Sequence, residues 1–191
     1  PKRYLEVGSG VSTYYAGLAA AENKKNGAAM QITCIEPYPH ENLKTIPGIK
    51  IHETKVENVD RALFQELQAN DVLFIDSSHI LKINGDVSFL YLEVLPVLNK
   101  GVIVHIHDIP FPYNIPYPPE HWIFEPNWPV FWNEAMVLQA FLCCNEKYEI
   151  KMSLPLIRFH DEAFLKKQVP IYQSIDQEPN ACSSIWLRKV A

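Results

Sequence analysis

Two groups of residues in this chain have the types and spacing for chemistry. The first stands near the start, where the apolar run Tyr4-Leu5-Glu6-Val7 leads into Gly8-Ser9-Gly10. Glycines let a backbone approach a bulky ligand, and a carboxylate beside them can orient a charged part of it. A further carboxylate, Glu36, ends the run "QITCI". At a strand tip such a group accepts two hydrogen bonds from a ribose diol. The second group is spread over "FIDSSH" and "VIVHIHD", which supply Asp76, His79, His105, His107 and Asp108. Carboxylates and imidazoles crowded at the ends of apolar runs exceed what a core needs, and such groups do acid–base work. His105 and His107 alternate with Val104 and Ile106, so both face one side of a strand. His107 lies nearer the tip, within reach of a substrate; His105 is expected to be a hydrogen-bonded core group.

The hydrophobic pattern predicts the elements that must hold these groups. Near-continuous apolar runs at 4–7, 32–35, 49–52, 72–75 and 102–105 predict strands buried on both faces, hence a parallel sheet. The stretches between them are long enough for crossover helices, which makes the expected fold α/β and doubly wound. Helical patterns run over 59–67, behind Asn58, and over 86–98, where Val87, Leu90, Tyr91 and Val94 share a face. Asp86 in the first turn of the latter suits the helix dipole. After Pro129, Phe131, Ala135, Leu138 and Leu142 fall on one face of another helix. Two more strands are expected at 148–154 and 183–188, with an irregular insertion at 155–180. The stretch 110–129 holds seven of the 15 prolines, together with Trp122 and Trp128. It is too rich in proline for a helix or central strand. It follows the C-terminal end of a strand, where a stiff aromatic loop can form a substrate wall.

Bulk composition narrows the classes. The 191 residues suit one domain with a sizeable core, and 48% apolar against 20% charged residues is ordinary globular usage. A net charge of −5 without a basic stripe argues against nucleic acid as the main partner. No apolar run approaches the roughly 20 residues of a membrane span. The start, Pro-Lys-Arg followed at once by a strand, is not a signal peptide; its abruptness points to a missing N-terminal piece. Cys34, Cys143, Cys144 and Cys182 form no Cys-x-x-Cys, as expected of reduced thiols in a cytoplasmic protein.

Taken in order, "YLEVGSG", "CIEP", "DVLFIDSSH" and "GVIVHIHDI" resemble the motif set of class I S-adenosylmethionine-dependent methyltransferases. Within these they are similar to the small-molecule and sugar O-methyltransferases, a branch that "WNEAMVLQAFL" and "SSIWLRK" also resemble. The resemblance covers essentially the whole chain. It implies a Rossmann-like sheet of seven mostly parallel strands, the last antiparallel. It also implies S-adenosylmethionine as cofactor, with Gly8, Ser9, Gly10 and Thr13 under its methionine portion and Glu6 near the amino group. Glu36 would then hold the ribose hydroxyls, the Lys55-Val56-Glu57 turn would sit by the adenine, and Asp76 would border the cofactor. A hydroxyl acceptor must lose a proton to a base or to a metal that acidifies it. The resemblance makes His79 the first choice as base, with His107 beside the substrate. It also makes Asp76 and Asp108 carboxylates for a divalent cation such as Mg²⁺, although Ile109 stands where the catechol-type enzymes have Asn. The expected acceptor is a small hydroxylated metabolite or sugar, and a homo-oligomer is compatible with the chain. Two competitors remain. One is a nicotinamide-dependent oxidoreductase, disfavoured by Thr13 at the third glycine position of the dinucleotide fingerprint. The other is a cofactor-binding scaffold without turnover.

Overall fold

The computed structural model describes residues 1–113, 132–174 and 182–191. Seven strands form one sheet: β1 (Arg3–Val7), β2 (Gln31–Ile35), β3 (Ile49–His52), β4 (Val72–Ile75), β5 (Ile103–His107), β6 (Tyr148–Ser153) and β7 (Ser184–Lys189). Their order is β3-β2-β1-β4-β5-β7-β6. Pairing is parallel from β3 to β5, and β7 runs antiparallel between β5 and β6. The expected doubly wound sheet with an antiparallel last strand is therefore present. Strand order reverses between β1 and β4, and open α/β sheets bind ligands outside the carboxyl ends of strands at such a point.

The apolar runs form strands because both sheet faces are covered. On one face Leu5, Val7, Leu73, Ile75, Val104, Ile106, Ile185 and Leu187 pack into the main core. Against them lie Val87, Leu90, Tyr91 and Val94 from the segment 86–97, and Leu138 from α5 (Glu134–Leu142). On the other face α1 (Val11–Lys25) places Ala16 on Ile32 and Cys34.

Several expected boundaries shift, each for a local reason. The 59–67 helix is broken into a 3-10 turn, Val56–Asn58, and α3 (Ala62–Gln65), because Asp60 Oδ1 accepts from Ala62 N at 2.9 Å and restarts the helix there. The 86–98 segment begins as α4 (Asp86–Phe89), loosens into a π turn at Leu90–Val94 and tightens to 3-10 at Leu95–Val97. Pro96 lacks the N–H an α-helix would need there. β5 extends to His107 rather than ending at 105. The irregular insertion at 155–180 is a correction: α6 (Leu154–His160) and α7 (Glu162–Gln168) occupy its first half. Ser153 caps α6 by accepting from Leu156 N at 3.2 Å, with Pro155 in the first turn. Asp161 caps α7 by accepting from Phe164 N at 3.2 Å. The Pro/aromatic stretch 110–129 lies outside the described residues from 114 onward. Its beginning is anchored to β6, where the Ser153 hydroxyl donates to the Phe111 carbonyl. Among the described residues no helix is long and apolar enough to cross a membrane.

Candidate active site

The turn after β1 is shaped from within. Glu6 is fully buried and accepts from Ser12 Oγ at 2.5 Å, from Thr13 Oγ1 at 2.6 Å and from the Cys34 thiol at 3.4 Å. Thr13 Oγ1 accepts in turn from Gly10 N at 3.1 Å. Burial outweighs these donors and holds the Glu6 carboxyl above its ordinary pKa. Burial together with Glu6 pushes the Cys34 thiol upward, which keeps it a donor. Thr13 thus replaces the missing third glycine with a side chain that ties the first turn of α1 to β1.

Gly8 has φ +87°, and a Cβ there would stand 2.0 Å from the Asp76 carbonyl oxygen. Its absence of a side chain therefore serves the contact between β1 and the tip of β4. Gly10 is different: a Cβ there would meet nothing within 4 Å, so its backbone faces open space. Beyond it, Glu36 at the tip of β2 accepts from Ser9 Oγ at 3.3 Å and Tyr38 N at 2.8 Å. Ser9, Gly10, Tyr14, Glu36 and Tyr38 line part of a cavity of about 1280 Å³ that continues along α1. An open glycine backbone next to an oriented carboxylate fits the expected cofactor. Val56, by contrast, packs into the core.

The second half of the site lies at the tips of β4 and β5. Donor atoms of Asp76, His107 and Asp108 all lie within 4.8 Å of one another. His107 Nδ1 is 3.2 Å from Asp108 Oδ1 and 3.9 Å from Asp76 Oδ1. Nδ1 is buried and faces the two carboxylates. The Asp108 carboxylate raises the His107 pKa against the effect of burial. For Asp108 itself, burial is outweighed by His107 and by Ser183, whose Oγ donates at 3.0 Å, and the carboxyl is held low. Two carboxylates and an imidazole nitrogen converging in this way fit a divalent cation.

His79 lies inside the protein. Only 4% exposed, it stands between two carboxylates, with Nδ1 2.7 Å from Glu134 Oε2 and Nε2 3.2 Å from Asp76 Oδ1. Its ring packs against Trp132 at 4.4 Å. Burial alone would lower its pKa, but the hydrogen bonds and charges of Asp76 and Glu134 push it up to about 9. Both nitrogens of this buried imidazole are engaged, Nε2 with Asp76 and Nδ1 with Glu134. His107, whose side chain is 44% exposed, is the accessible imidazole. His105 departs from expectation. It is held between Phe74 at 4.6 Å and Trp186 at 4.2 Å, and its Nε2 is buried without a partner among the described residues. Burial first, and His107 second, lower it to about 4.

Glu134 is the site residue that sequence reasoning missed. It is fully buried in the first turn of α5, one helical repeat before the equally buried Leu138. A carboxylate on the apolar face of a helix was the available signal. The helix start is also fastened to the β4 loop: Asn133 N and Glu134 N donate to the His79 carbonyl at 3.1 and 3.2 Å. Asn133 Oδ1 accepts from Leu81 N at 2.6 Å.

The family described as "Methyltransferase domain" matches residues 5–109, more than half of the chain. No curated protein matches the sequence significantly. Among solved structures, cmcI with SAH aligns with the whole chain at 15% identity and TM-score 0.48, covering 70% of its own length. For cmcI with Mg and SAM the values are 16%, 0.46 and 66%. The chain thus spans about two thirds of these proteins. A 16S rRNA (adenine(1408)-N(1))-methyltransferase variant from Catenulisporales acidiphilia aligns at 14% identity and TM-score 0.46, with 84% of its length covered. The matched family stretch runs from inside β1 to just beyond the tip of β5, so it takes in the glycine turn, Glu36, Asp76, His107 and Asp108. The chain belongs to the methyltransferase domain family.

Proposed function

We propose that residues 1–191 form one methyltransferase domain that methylates a hydroxyl of a small polyhydroxylated metabolite or sugar. The observation that carries this reading is the contact between Gly8 and the Asp76 carbonyl, which sets the glycine turn directly beside the Asp76–His107–Asp108 group. A donor seated on the turn and an acceptor activated at the β4 and β5 tips would then be neighbours. In-line displacement depends mainly on such positioning.

In this reading S-adenosylmethionine supplies an electrophilic methyl on a sulfonium sulfur: the S–CH₃ bond breaks as the acceptor oxygen forms its bond to carbon, leaving S-adenosylhomocysteine and a proton. Gly8, Ser9 and Gly10 present backbone to the methionine portion, and Glu36 receives the ribose hydroxyls. Glu6 and Thr13, being buried, act by holding the turn in shape. Val56 supports the adenine end from the core. Asp76 and Asp108 would hold a divalent cation, which would supply acidification of the acceptor hydroxyl. His107 stands at the same point, where its imidazole can orient that hydroxyl or complete the cation's donor set. His79 and Glu134 hold Asp76 in place.

Calorimetric titration with S-adenosylmethionine, S-adenosylhomocysteine and NADH, each with and without Mg²⁺, tests the reading. Micromolar binding of the adenosyl ligands alone is expected, and Gly10→Val should weaken it more than tenfold. Binding of NADH in their place would return the oxidoreductase reading. Failure of all three ligands to bind the folded protein would overturn the methyltransferase reading.

A further inference from the structure

We propose that the Asp76–His107–Asp108 site selects a first-row transition dication, in the range from iron to zinc, over Mg²⁺. The inference rests on the methyl-transfer reading of the same site and names its ion. Three observations carry it. First, the third donor is nitrogen. His107 Nδ1 points at the two carboxylates, 3.2 and 3.9 Å from their Oδ1 atoms, and no hydrogen bond occupies it among the described residues. Magnesium favours all-oxygen shells, whereas imidazole suits zinc, iron, nickel and copper. Second, an oxygen donor is not supplied by the next residue. Ile109 is 1% exposed and its side chain belongs to the main core, so among the described residues the trio is one nitrogen and two carboxylates.

Third, the outer contacts are those of a built site. Asp76 Oδ1 is held by His79 Nε2 at 3.2 Å, and His79 is held by the buried Glu134. Asp108 Oδ1 is held by the Ser183 hydroxyl at 3.0 Å. Both carboxylates are thus oriented by hydrogen bonds, the kind of support that fixes metal ligands and tunes affinity. The two carboxylates match a dication in charge.

The test is calorimetric titration of the full chain with MgCl₂, MnCl₂, CoCl₂ and ZnCl₂, with S-adenosylhomocysteine titrated into the same samples. CoCl₂ is also followed by its visible spectrum. Transition ions bind all such donors more tightly than Mg²⁺, so the deciding comparison is His107→Asp, which restores an all-oxygen trio. Cobalt and zinc are expected to bind the parent chain at least about 100-fold more tightly than Mg²⁺. In His107→Asp that ratio should shrink at least tenfold, and Asp76→Asn should remove binding of every ion. Circular dichroism establishes that each variant is folded. An unchanged cobalt-to-magnesium ratio in His107→Asp overturns the proposal, as does failure of every ion to bind the folded parent. If S-adenosylhomocysteine binds while no metal does, the ion proposal falls alone; if neither binds, the methyl-transfer reading falls with it.

Discussion

His79 shows how far an imidazole's role depends on what surrounds it. In sequence it stands three residues after Asp76, within easy reach of a substrate; in the fold it is an inner link between Glu134 and Asp76. A charge-assisted bond of 2.7 Å to a fully buried carboxylate is short and strong. Such a proton should appear at low field in the proton NMR spectrum and exchange slowly with water. Glu134→Gln keeps the side-chain volume and removes the charge. The low-field signal should vanish or move upfield in this variant, while the affinity for S-adenosylhomocysteine changes by less than about threefold. A signal that persists unchanged would show that Glu134 does not hold His79, whatever the stability of the variant. Breaking a buried pair of this kind costs about 3–5 kcal/mol, so the comparison is made below the melting transition. Nothing local in the sequence announces this pair, because the two residues stand 55 positions apart. Asp76 and Asp108, by contrast, were legible as carboxylates at strand ends.

At the scale of elements, the helix after β4 does more than its dipole requires. Asp86 in the first turn of α4 accepts from Ser78 N at 2.6 Å and Ser78 Oγ at 2.7 Å, clamping the loop that runs from Asp76 to His79. Burial would raise its pKa, but the two Ser78 contacts, the nearby backbone and Lys82 overcome that and hold it below its ordinary 3.8. Its contribution to stability is therefore fully present above pH 4 and is lost as the pH falls through the depressed folded value. Asp86→Ala should cost about 1–2 kcal/mol near neutral pH, allowing for the partial exposure of the group. The melting-temperature gap between parent and variant should hold steady from pH 7 to 5 and narrow below about pH 4. A gap independent of pH would mean that the carboxylate charge contributes nothing. The strands were legible because buried parallel strands are written as unbroken Val/Ile/Leu runs. The helices α6 and α7 were not, although Ser153-x-Pro155 and Asp161 carry their start signals. Each helix has only seven residues, too few for periodicity to outweigh the irregular composition around it.

For the whole molecule, the site depends on β1 and β4 lying in fixed register at the point where strand order reverses. That register is locked at both ends. At the carboxyl end Gly8 packs on the Asp76 carbonyl, and Asp76 N donates to Val7 O at 2.9 Å. At the opposite end Asp71, 2% exposed, accepts from Lys2 N at 2.9 Å, Arg3 N at 2.8 Å and Gln68 N at 2.9 Å. The Asp71 carbonyl also accepts from Ile103 N at 2.9 Å, which brings β5 into the same clamp. These two ends are separated by about 16 Å of strand, at roughly 3.3 Å per residue. Their jobs should therefore separate experimentally. Asp71→Ala leaves backbone N–H groups without their acceptor and should cost about 2–4 kcal/mol, lowering the melting temperature by about 5–15 °C. The folded variant should still bind S-adenosylhomocysteine within about threefold of the parent, because the glycine turn and Glu36 are untouched. A loss of affinity at temperatures where the variant remains folded would show that a change at the amino ends of β1 and β4 reaches the site. In that case the Gly8–Asp76 contact alone would not be enough to hold the two halves of the site together.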